Sequence, residues 1–442
     1  MNDEQEISVS SHRLPGKTRQ LTTSVGNSDD AGCVLDGDEN VDVGSRYQLL
    51  NVIDYGGMGI VYRANDRQLN RRVAIKVLRA DRVGNELAEQ GIANEVRMMS
   101  FLSHPGVATI FDTGKCKDGR QFYVMKLVEG RTFMEMLHDD SIPTSRSLQV
   151  FADICQAIAS AHARGVLHLD LKPGNVMVGQ FGETYVMDWG LAQFYDRDAG
   201  LDDEHDPSEI REATSCTING TLEYMSPEQA MGRKLDPRAD VFGLGAILCR
   251  ILIGRSPYEG HDVKRMYRLA TKASMQSVLD DLEQRRVDHR LARLVRSCLA
   301  RSRSQRPKNA IEVYQAISDY HEAALQQMES DMSRFFELSL DMFCIADLNG
   351  YFRRVNSNFS RVLGYSEADL LSQPFLNFVH PDDVQRTIKQ MRSLDKGKSV
   401  VRFRNRYRTA NGEFRKLEWT AKTIADENVI FAVARDVTGK RR

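Results

Sequence analysis

Beyond residue 45, apolar and polar positions alternate in short runs, the pattern of strands that bury one face. The segments YQLLNVIDYGGMGIVYRAND and RRVAIKVLRA are rich in β-branched and aromatic residues and surround a glycine-rich turn. They predict a sheet built from hairpins. The segment ELAEQGIANEVRMMSFL then has helical spacing, and QFYVMKLVE predicts a further strand. This part of the chain is therefore expected to be small and β-rich.

The following part of the chain has the spacing of amphipathic helices. In SLQVFADICQAIASAHARG one helical face collects Val150, Ile154, Ile158 and Ala161, and Gly165 is placed to end the helix. Two short strands are predicted around 175–178 and 184–187, and helices dominate from 227 to about 327. A larger helical region therefore follows the β-rich one.

The last part of the chain begins with a helix that joins it to the preceding region. Apolar residues in Ile317–Phe335 keep helical register, but their seam is short, so a continuous linker helix is favoured over a sustained coiled coil. Hairpins are predicted around Asn349-Gly350 and Asn411-Gly412, and NVIFAVARDVT predicts a closing strand.

The first 44 residues differ from the rest, with nine acidic and three basic side chains and no apolar period. Such a segment buries too little surface to offset chain entropy, so a disordered acidic tail is expected. The whole chain has 442 residues, 41% hydrophobic and 27% charged, which is typical of a soluble protein with two or three domains.

Charge and cysteine usage exclude several classes of function. The net charge of −1 argues against a nucleic-acid-binding protein, which needs a basic surface. The seven cysteines contain no CxxC pair, which excludes a zinc ribbon and fits reduced thiols in the cytoplasm. The most apolar stretch, Val241–Gly254, carries Arg250 and is shorter than a membrane span, so we expect a buried helix there.

The β-rich region carries residues suited to phosphate. Gly56, Gly57 and Gly59 form a turn whose backbone N–H groups can approach phosphate oxygens, although an ordinary tight hairpin has the same pattern. Lys76 lies in the apolar strand VAIK, where an ammonium group is costly without an anion. Glu95, on the predicted helix, is its candidate partner.

Further candidates lie in the helical region. The loop HLDLKPGN holds Asp170, Lys172 and Asn175, and Asp188 follows a strand at another turn. Asn175 and Asp188 offer the hard oxygen ligands that suit Mg²⁺, which leaves Asp170 to accept a proton from a hydroxyl. Each residue alone also fits a turn or a cap, but together and in this order they point to phosphate chemistry.

These motifs make residues 47 to about 320 resemble a eukaryotic-type protein kinase domain of the bacterial Ser/Thr type. The resemblance implies a mixed α+β bilobal fold, with a β-rich N-lobe (45–128) and a helical C-lobe (129–320). It also implies ATP and Mg²⁺ as cofactors. The remaining divisions are then a tail (1–44), a linker helix (321–335) and a C-terminal domain (336–442).

The resemblance assigns roles in nucleotide binding. The turn from Gly56 to Val61 would cover the ATP phosphates, Lys76 would hold the α- and β-phosphates, and Met125 would be the gatekeeper before the hinge. The full set implied is Ile53, Gly56, Gly57, Met58, Gly59, Val61, Ala74, Lys76, Glu95, Met125, Leu127 and Met177.

The resemblance assigns catalytic roles too. Asp170 would be the catalytic base, Lys172 would stabilise the transferring phosphoryl group, and Thr221 would line the substrate pocket. Asn175 and Asp188 would bind Mg²⁺. Two structural contacts are also implied: an ion pair between Glu228 and Arg306, and a bracing of the catalytic loop by Asp240.

Three positions depart from the family pattern. Asp54 replaces the first glycine of the loop, where its side chain and charge could reduce ATP affinity. Leu169 replaces the arginine of the HRD triplet, which normally pairs with a phosphorylated activation loop. Trp189 replaces the phenylalanine of DFG and is expected to fill the same pocket. Autophosphorylation is hypothesised in the activation segment at Ser208, Thr214, Ser215 or Thr217, with Thr217 best placed.

The C-terminal residues resemble a PAS sensor domain, an α+β fold with an antiparallel sheet. The resemblance rests on DMFCIADLNGYFRRVNSNFSRVLGYSEADLL, FVHPDD, the hairpin RFRNRYRTANGEFRKLEW and ARDVT. Asp347, Asn356 and His380 are expected to be structural, and Cys344 a buried apolar residue. The identity of any PAS ligand stays open. Alternating arginines predict one strand face, either solvated or contacting an acidic partner: Arg402, Arg404, Arg406 and Arg408.

The sequence is compatible with two functions. The favoured one is a cytoplasmic Ser/Thr protein kinase that transfers the ATP γ-phosphate to protein hydroxyls and to itself. Its PAS module would sense a signal or mediate assembly, including a homodimer through the PAS domain or the linker helix. The alternative is a pseudokinase scaffold that binds partners with little phosphotransfer. Asp54 and Leu169 keep the scaffold open. The retained chemical groups argue against it: Lys76, Asp170, Asn175 and Asp188.

Overall fold

The computed structural model of the chain describes residues 41–195, 222–258, 262–395, 397–424 and 428–439. Most of the predicted disordered tail therefore lies outside the described residues, as do the four candidate phosphorylation sites of the activation segment. Two compact units are distinguished. One comprises the described residues up to Val96 with Thr109–Leu127, and the other comprises Arg97–Ala108 with the described residues from Val128 onward.

The first unit is built on a five-stranded antiparallel sheet, as the alternating pattern predicts. The strand order is β1-β2-β3-β5-β4. One face packs into a core that includes Ile60, Tyr62, Ile75, Val77 and Val124. The strands are β1 (Tyr47–Tyr55), β2 (Gly59–Asp66), β3 (Arg71–Leu78), β4 (Ile110–Lys115) and β5 (Gln121–Lys126), and helix α1 (Glu86–Phe101) begins in this unit after β3.

The second unit begins with the helical region. Its helices are α2 (Phe133–Leu137), α3 (Thr144–Ala163), α4 (Pro227–Ala230), α5 (Pro237–Ile253), α6 (Val263–Lys272), α7 (Gln276–Gln284), α8 (His289–Cys298) and α9 (Ala310–Leu338). One short strand, β6 (Gly130–Thr132), precedes α2, and four more lie between α3 and α4: β7 (Val166–Leu167), β8 (Val176–Gly179), β9 (Thr184–Val186) and β10 (Gln193–Phe194). Strands β6, β8 and β9 form one sheet, and β7 pairs with β10.

The helical periodicity correctly predicts which residues are buried. On α3, Val150, Ile154 and Ile158 are fully buried. Gly165, just beyond the helix, has φ +79°, a conformation that glycine adopts without a steric penalty. The apolar stretch predicted as a buried helix is α5, most of whose side chains are inaccessible to solvent. Within the described ranges, no helix combines the length and apolarity needed to cross a membrane.

Helix α9 runs without interruption for 29 residues, so the stretch 317–335 is helical throughout, as its apolar period predicts. The C-terminal domain is built on a five-stranded antiparallel sheet in the order β12-β11-β15-β14-β13. Both predicted hairpins are present, with Gly350 at φ +92° and Gly412 at φ +88°. The elements are β11 (Met342–Asp347), β12 (Phe352–Val355), α10 (Ser357–Leu363), α11 (Glu367–Leu371), α12 (Pro381–Asp395), β13 (Val400–Arg408), β14 (Phe414–Ile424) and β15 (Val429–Asp436).

The polar residues expected to be structural in this domain have structural contacts. Asp347 accepts a hydrogen bond from the Tyr351 backbone N–H (3.0 Å), and His380 Nδ1 accepts one from Asp382 N–H (3.2 Å). Asn356 precedes α10 but does not cap it. Instead, its Nδ2 group donates to the Phe336 carbonyl at 3.0 Å and thereby ties α9 to the sheet domain.

Two of the four arginines of β13 pair with carboxylates inside the domain. Arg404 pairs with Glu418 at 2.6 Å, and Arg406 donates to Asp383 at 2.9 Å. The hydrogen bond from Arg406 lowers the pKa of Asp383. A β-bulge interrupts the regular alternation at Arg402, whose φ is +53°, so the regular face holds three arginines rather than four.

Candidate active site

The glycine-rich turn connects β1 to β2 through a backbone hydrogen bond, from Gly56 N–H to the Gly59 carbonyl at 2.9 Å. A Cβ atom on Gly59 would lie 2.9 Å from the Val77 carbonyl oxygen, so no other residue fits there without a shift. Gly57 has open space around its Cα. Gly59 is therefore required for strand packing, whereas Gly57 leaves the turn accessible from solvent.

Four predicted nucleotide-binding residues share one face of the first unit's sheet. Val61 is opposite Lys76, and Ala74 is opposite Met125, in the antiparallel registers. Directly opposite residues and residues two apart along a strand point to the same side. This face is the reverse of the one that carries the core.

The other predicted residues of this unit have varied surroundings. Ile53 is 41% exposed at the end of β1, and Leu127 is half-buried just beyond β5. The side chain of Met58 packs against Gly91 on α1, where a Cβ atom would lie 2.7 Å from the methionine sulfur. Asp54 is exposed and follows a register shift in β1.

Lys76 and Glu95 form the ion pair that the sequence predicts. The lysine Nζ lies 2.9 Å from Oε1 and 2.7 Å from Oε2 of Glu95, and both side chains are buried. A buried pair costs desolvation of both charges, so its retention is typical of a site that needs a cation at a defined place. Lys76 is thus held on the shared sheet face by a helix that packs on the sheet.

In the second unit, the loop after β7 brings three predicted residues together. Asp170 Oδ2 accepts hydrogen bonds from Lys172 Nζ (2.8 Å) and from Asn175 Nδ2 (2.8 Å). The same Asn175 amide donates to the Asp170 carbonyl oxygen at 2.8 Å. The carboxylate is therefore fixed in orientation by an ammonium group and an amide from its own loop.

The other carboxylate oxygen of Asp170, Oδ1, takes no part in these hydrogen bonds. Oδ1 is buried and has no hydrogen-bond partner among the residues that the structure describes. A buried acceptor without a donor is costly, and such groups occur at catalytic sites. A substrate hydroxyl is the kind of donor that would satisfy it.

Asp240 on α5 braces this loop, as the family resemblance implies. Its carboxylate accepts the backbone N–H groups of His168 and Leu169, both at 2.8 Å, and it lies 2.9 Å from His162 Nε2. Burial raises the pKa of Asp240, but the hydrogen bonds from His162 and the His168 backbone outweigh it, so the pKa is lowered. Asp240 therefore holds the loop as a carboxylate.

The bracing coincides with local backbone strain. Leu169 has φ +68°, which is unfavourable for a residue with a branched side chain. Its N–H is held by Asp240, and its carbonyl accepts a hydrogen bond from Gln229 Nε2 at 2.8 Å. The strained conformation is thus fixed from both sides, and it sets the direction of the next residue, Asp170.

The two predicted metal ligands lie at the two ends of one hairpin: Asn175 directly precedes β8, and Asp188 follows β9. The Met187 N–H donates to the Asn175 carbonyl at 2.8 Å, so Asp188 comes one residue after a direct backbone contact with Asn175. Because the Asn175 amide hydrogens are committed to Asp170, its Oδ1 remains as an acceptor, and the Asp188 side chain is exposed. One amide and one carboxylate oxygen fit Mg²⁺, which keeps several waters and phosphate oxygens as further ligands.

Trp189, which replaces the phenylalanine of DFG, and the implied ion pair of Glu228 with Arg306 both have well-defined surroundings. Trp189 is fully buried beside His168, with ring centroids 4.5 Å apart, and its Nε1 donates to the Val186 carbonyl at 3.1 Å. The indole therefore fills its pocket with its one donor satisfied. Glu228 and Arg306 form the implied pair, with contacts of 2.6 and 3.0 Å.

The sequence does not predict every residue of this site, and the structure does not describe every predicted residue. Thr221, predicted to line the substrate pocket, lies outside the described residues. Met177 is half-buried on β8, opposite Tyr185 of β9. His162 and Gln229 were not singled out, since their partners in the loop and on α5 lie far away along the chain.

Comparisons with known proteins agree on the family. A family model described as "Protein kinase domain" matches residues 47–317, and one described as "PAS fold" matches residues 352–431. The chain is 29% identical over 326 residues to the serine/threonine-protein kinase PknD of Protochlamydia amoebophila, covering 69% of this chain and 31% of that protein. It is 34% identical over 223 residues to PknB of Mycobacterium leprae, covering 49% and 33%. The chain thus spans about a third of the length of these curated relatives.

Proposed function

Because the chain belongs to the protein kinase family, we propose that it transfers the γ-phosphate of ATP to serine and threonine hydroxyls of proteins, including its own. The observation that carries the proposal is the Asp170 carboxylate, with Oδ2 held by Lys172 and Asn175 and Oδ1 buried without a partner in the described chain. This carboxylate is oriented to accept a proton from an incoming hydroxyl group.

The reaction needs positioning and charge neutralisation more than covalent chemistry. In the second unit, Asp170 orients the acceptor hydroxyl and takes its proton, while Lys172 neutralises the phosphoryl oxygens. Asn175 and Asp188 would hold Mg²⁺, and the bound ion supplies positive charge to the phosphate oxygens. Thr221 is proposed to line the pocket for the acceptor residue.

In the first unit, the proposal assigns ATP binding. Lys76, held by Glu95, contacts the α- and β-phosphates, and the turn from Gly56 to Gly59 covers them with backbone N–H groups. The apolar side chains on the shared sheet face and beside it contact the adenine: Ile53, Met58, Val61, Ala74, Met125 and Leu127.

Phosphotransfer from labelled ATP is the direct test. We expect the full chain to label itself and a generic basic protein substrate, with label recovered on serine and threonine. A Lys76→Met variant should fall to background, because the ammonium that holds the phosphates is lost. Lys115→Met, on the same sheet but exposed, is the matched control and should keep activity. Label no higher in the wild type than in Lys76→Met would favour the pseudokinase scaffold.

The C-terminal residues 336–442, joined by the linker 321–335, are proposed to sense a signal or mediate assembly in the cytoplasm. Helix α9 supports assembly, because four apolar side chains at helical spacing are each more than 60% exposed: Leu325, Met328, Met332 and Phe335. We expect a homodimer through this helix, measured as mass by sedimentation equilibrium. A monomer at every concentration would rule out the dimer.

A further inference from the structure

A concave surface lies on the helical region, and its lining residues have no part in the proposed catalysis or nucleotide binding. It is a cavity of about 120 Å³ formed by α7, α8 and the residues that flank them. Its buried walls are Val278, Val295 and Leu299, and half-buried Met275 and Leu279 complete the lining. The interior of the cavity is therefore apolar.

Two arginines lie in the wall of this cavity. Arg296 and Arg301 line it, both are exposed, and neither side chain has a hydrogen-bond or ion-pair partner among the described residues. Lys272 directly precedes the lining residue Ala273, and Arg293 lies one helical turn before Arg296. The surface thus combines unpaired positive charge with an apolar depression.

The acidic residues nearby do not neutralise these cations. The stretch 262–301 carries ten lysines and arginines against five aspartates and glutamates. Asp281 is paired with Arg255, while Asp280 and Asp288 accept hydrogen bonds from Gln276 and from the Arg290 N–H. A local positive potential therefore remains around the cavity.

The size of the cavity limits its occupant. An apolar cavity of about 150 Å³ holds one benzene molecule, so about 120 Å³ corresponds to a single apolar side chain and is too small for a long acyl chain. A nucleic acid would use the cations but would leave the apolar interior empty, since it is recognised through phosphates and stacked bases. An acidic protein segment with one bulky apolar residue uses both features.

We infer that this surface, formed by α7, α8 and the cations around their cavity, docks an acidic protein segment that inserts one leucine-sized side chain. As a docking site for protein substrates, the inference rests on the proposed kinase function. Helix α6 connects it to the catalytic loop: the Tyr267 hydroxyl donates to the Ala230 carbonyl on α4 at 2.7 Å, and Gln229 of α4 donates to Leu169. A docked substrate is therefore held on elements that support Asp170.

Fluorescence anisotropy with a labelled peptide, Asp-Glu-Asp-Leu-Glu-Asp-Glu, tests the inference on the full chain. We expect an Arg296→Gln/Arg301→Gln variant to bind about fivefold more weakly, because two exposed charge contacts are lost. Lys398→Gln/Arg408→Gln removes the same charge from exposed positions of the C-terminal domain and is the matched control. A peptide with serine in place of leucine should bind about tenfold more weakly to the wild type.

A third variant, Met275→Trp, fills the cavity and should abolish the difference between the leucine and serine peptides. Equal binding of these two peptides to the wild type would overturn the inference and indicate nonspecific attraction of polyanions. Equal effects of the two arginine-containing double variants would overturn it too. Since binding is measured without phosphotransfer, an inactive chain that still discriminates between the peptides would refute the kinase function and leave the docking surface standing.

Discussion

Replacing Asp170 with asparagine is expected to lower the rate of phosphotransfer by about 10³-fold, within the range seen when a general base is removed. Asparagine has nearly the same shape, so it can still accept hydrogen bonds from Lys172 and Asn175 through its Oδ1 atom. It cannot take a proton from the acceptor hydroxyl. The loss should therefore fall on kcat, with little change in the KM for ATP.

The measurement is single-turnover phosphotransfer from labelled ATP, paired with binding of a fluorescent nucleotide. Asp139→Asn is the matched control, since Asp139 belongs to the same unit, is partly exposed and contacts Ser141 and Arg131. Its activity should stay within about twofold of the wild type, as for a surface substitution. An Asp170→Asn variant that retains activity, or that loses nucleotide binding in parallel, would contradict the role of a base.

The second large effect concerns the stability of the helical region. Replacing Arg306 with methionine is expected to lower the free energy of unfolding by about 3–5 kcal/mol, the cost of leaving one partner of a buried ion pair uncompensated. Both side chains of the pair with Glu228 are nearly inaccessible to solvent. The guanidinium also donates to the carbonyl oxygens of Ala300 and Arg238, at 2.7 and 2.9 Å, and lies 5.0 Å from the Phe242 ring centroid.

Urea unfolding, with hydrogen exchange on α5 and α8 to assign the transition, measures the loss. Arg79→Met provides the comparison, because its ion pair with Asp81 is exposed on both sides and should contribute less than about 1 kcal/mol. The double variant Glu228→Gln/Arg306→Met should recover part of the loss, since no charge is then left buried without its partner. Equal effects of Arg306→Met and Arg79→Met would show that the buried pair is not a main support of the helical region.

Several features follow from short-range signals in the sequence. An ammonium group in the strand VAIK must find an anion, and this requirement made Glu95, on the next predicted helix, the candidate partner that the structure shows. The hairpins at Gly350 and Gly412 follow from the Asn-Gly turns, and the continuity of α9 follows from its periodicity. Each of these predictions depends on residues close together in sequence or on a demand that one residue makes of its surroundings.

Other features depend on contacts between residues far apart along the chain, which no local sequence pattern predicts. The positive φ of Leu169 is maintained by Asp240 and Gln229, which lie 71 and 60 residues away along the chain. The bulge at Arg402 changes which arginines share a face, although the sequence alternates without a break. The docking cavity exists only because α7 and α8 leave a gap between their apolar faces.

The sequence by itself determined the elements, their order and the chemical groups available, because hydrophobic period, turn residues and motif spacing act over a few residues. Tertiary structure decided how those groups are used. It oriented Asp170 through neighbours in its own loop and through Asp240. Among the residues that the structure describes, it left Asp170 Oδ1 without a donor and Arg296 and Arg301 without a partner beside an apolar cavity. The physical reason is that the direction, burial and pairing of a side chain depend on the packing of elements far apart in sequence, which local periodicity does not encode.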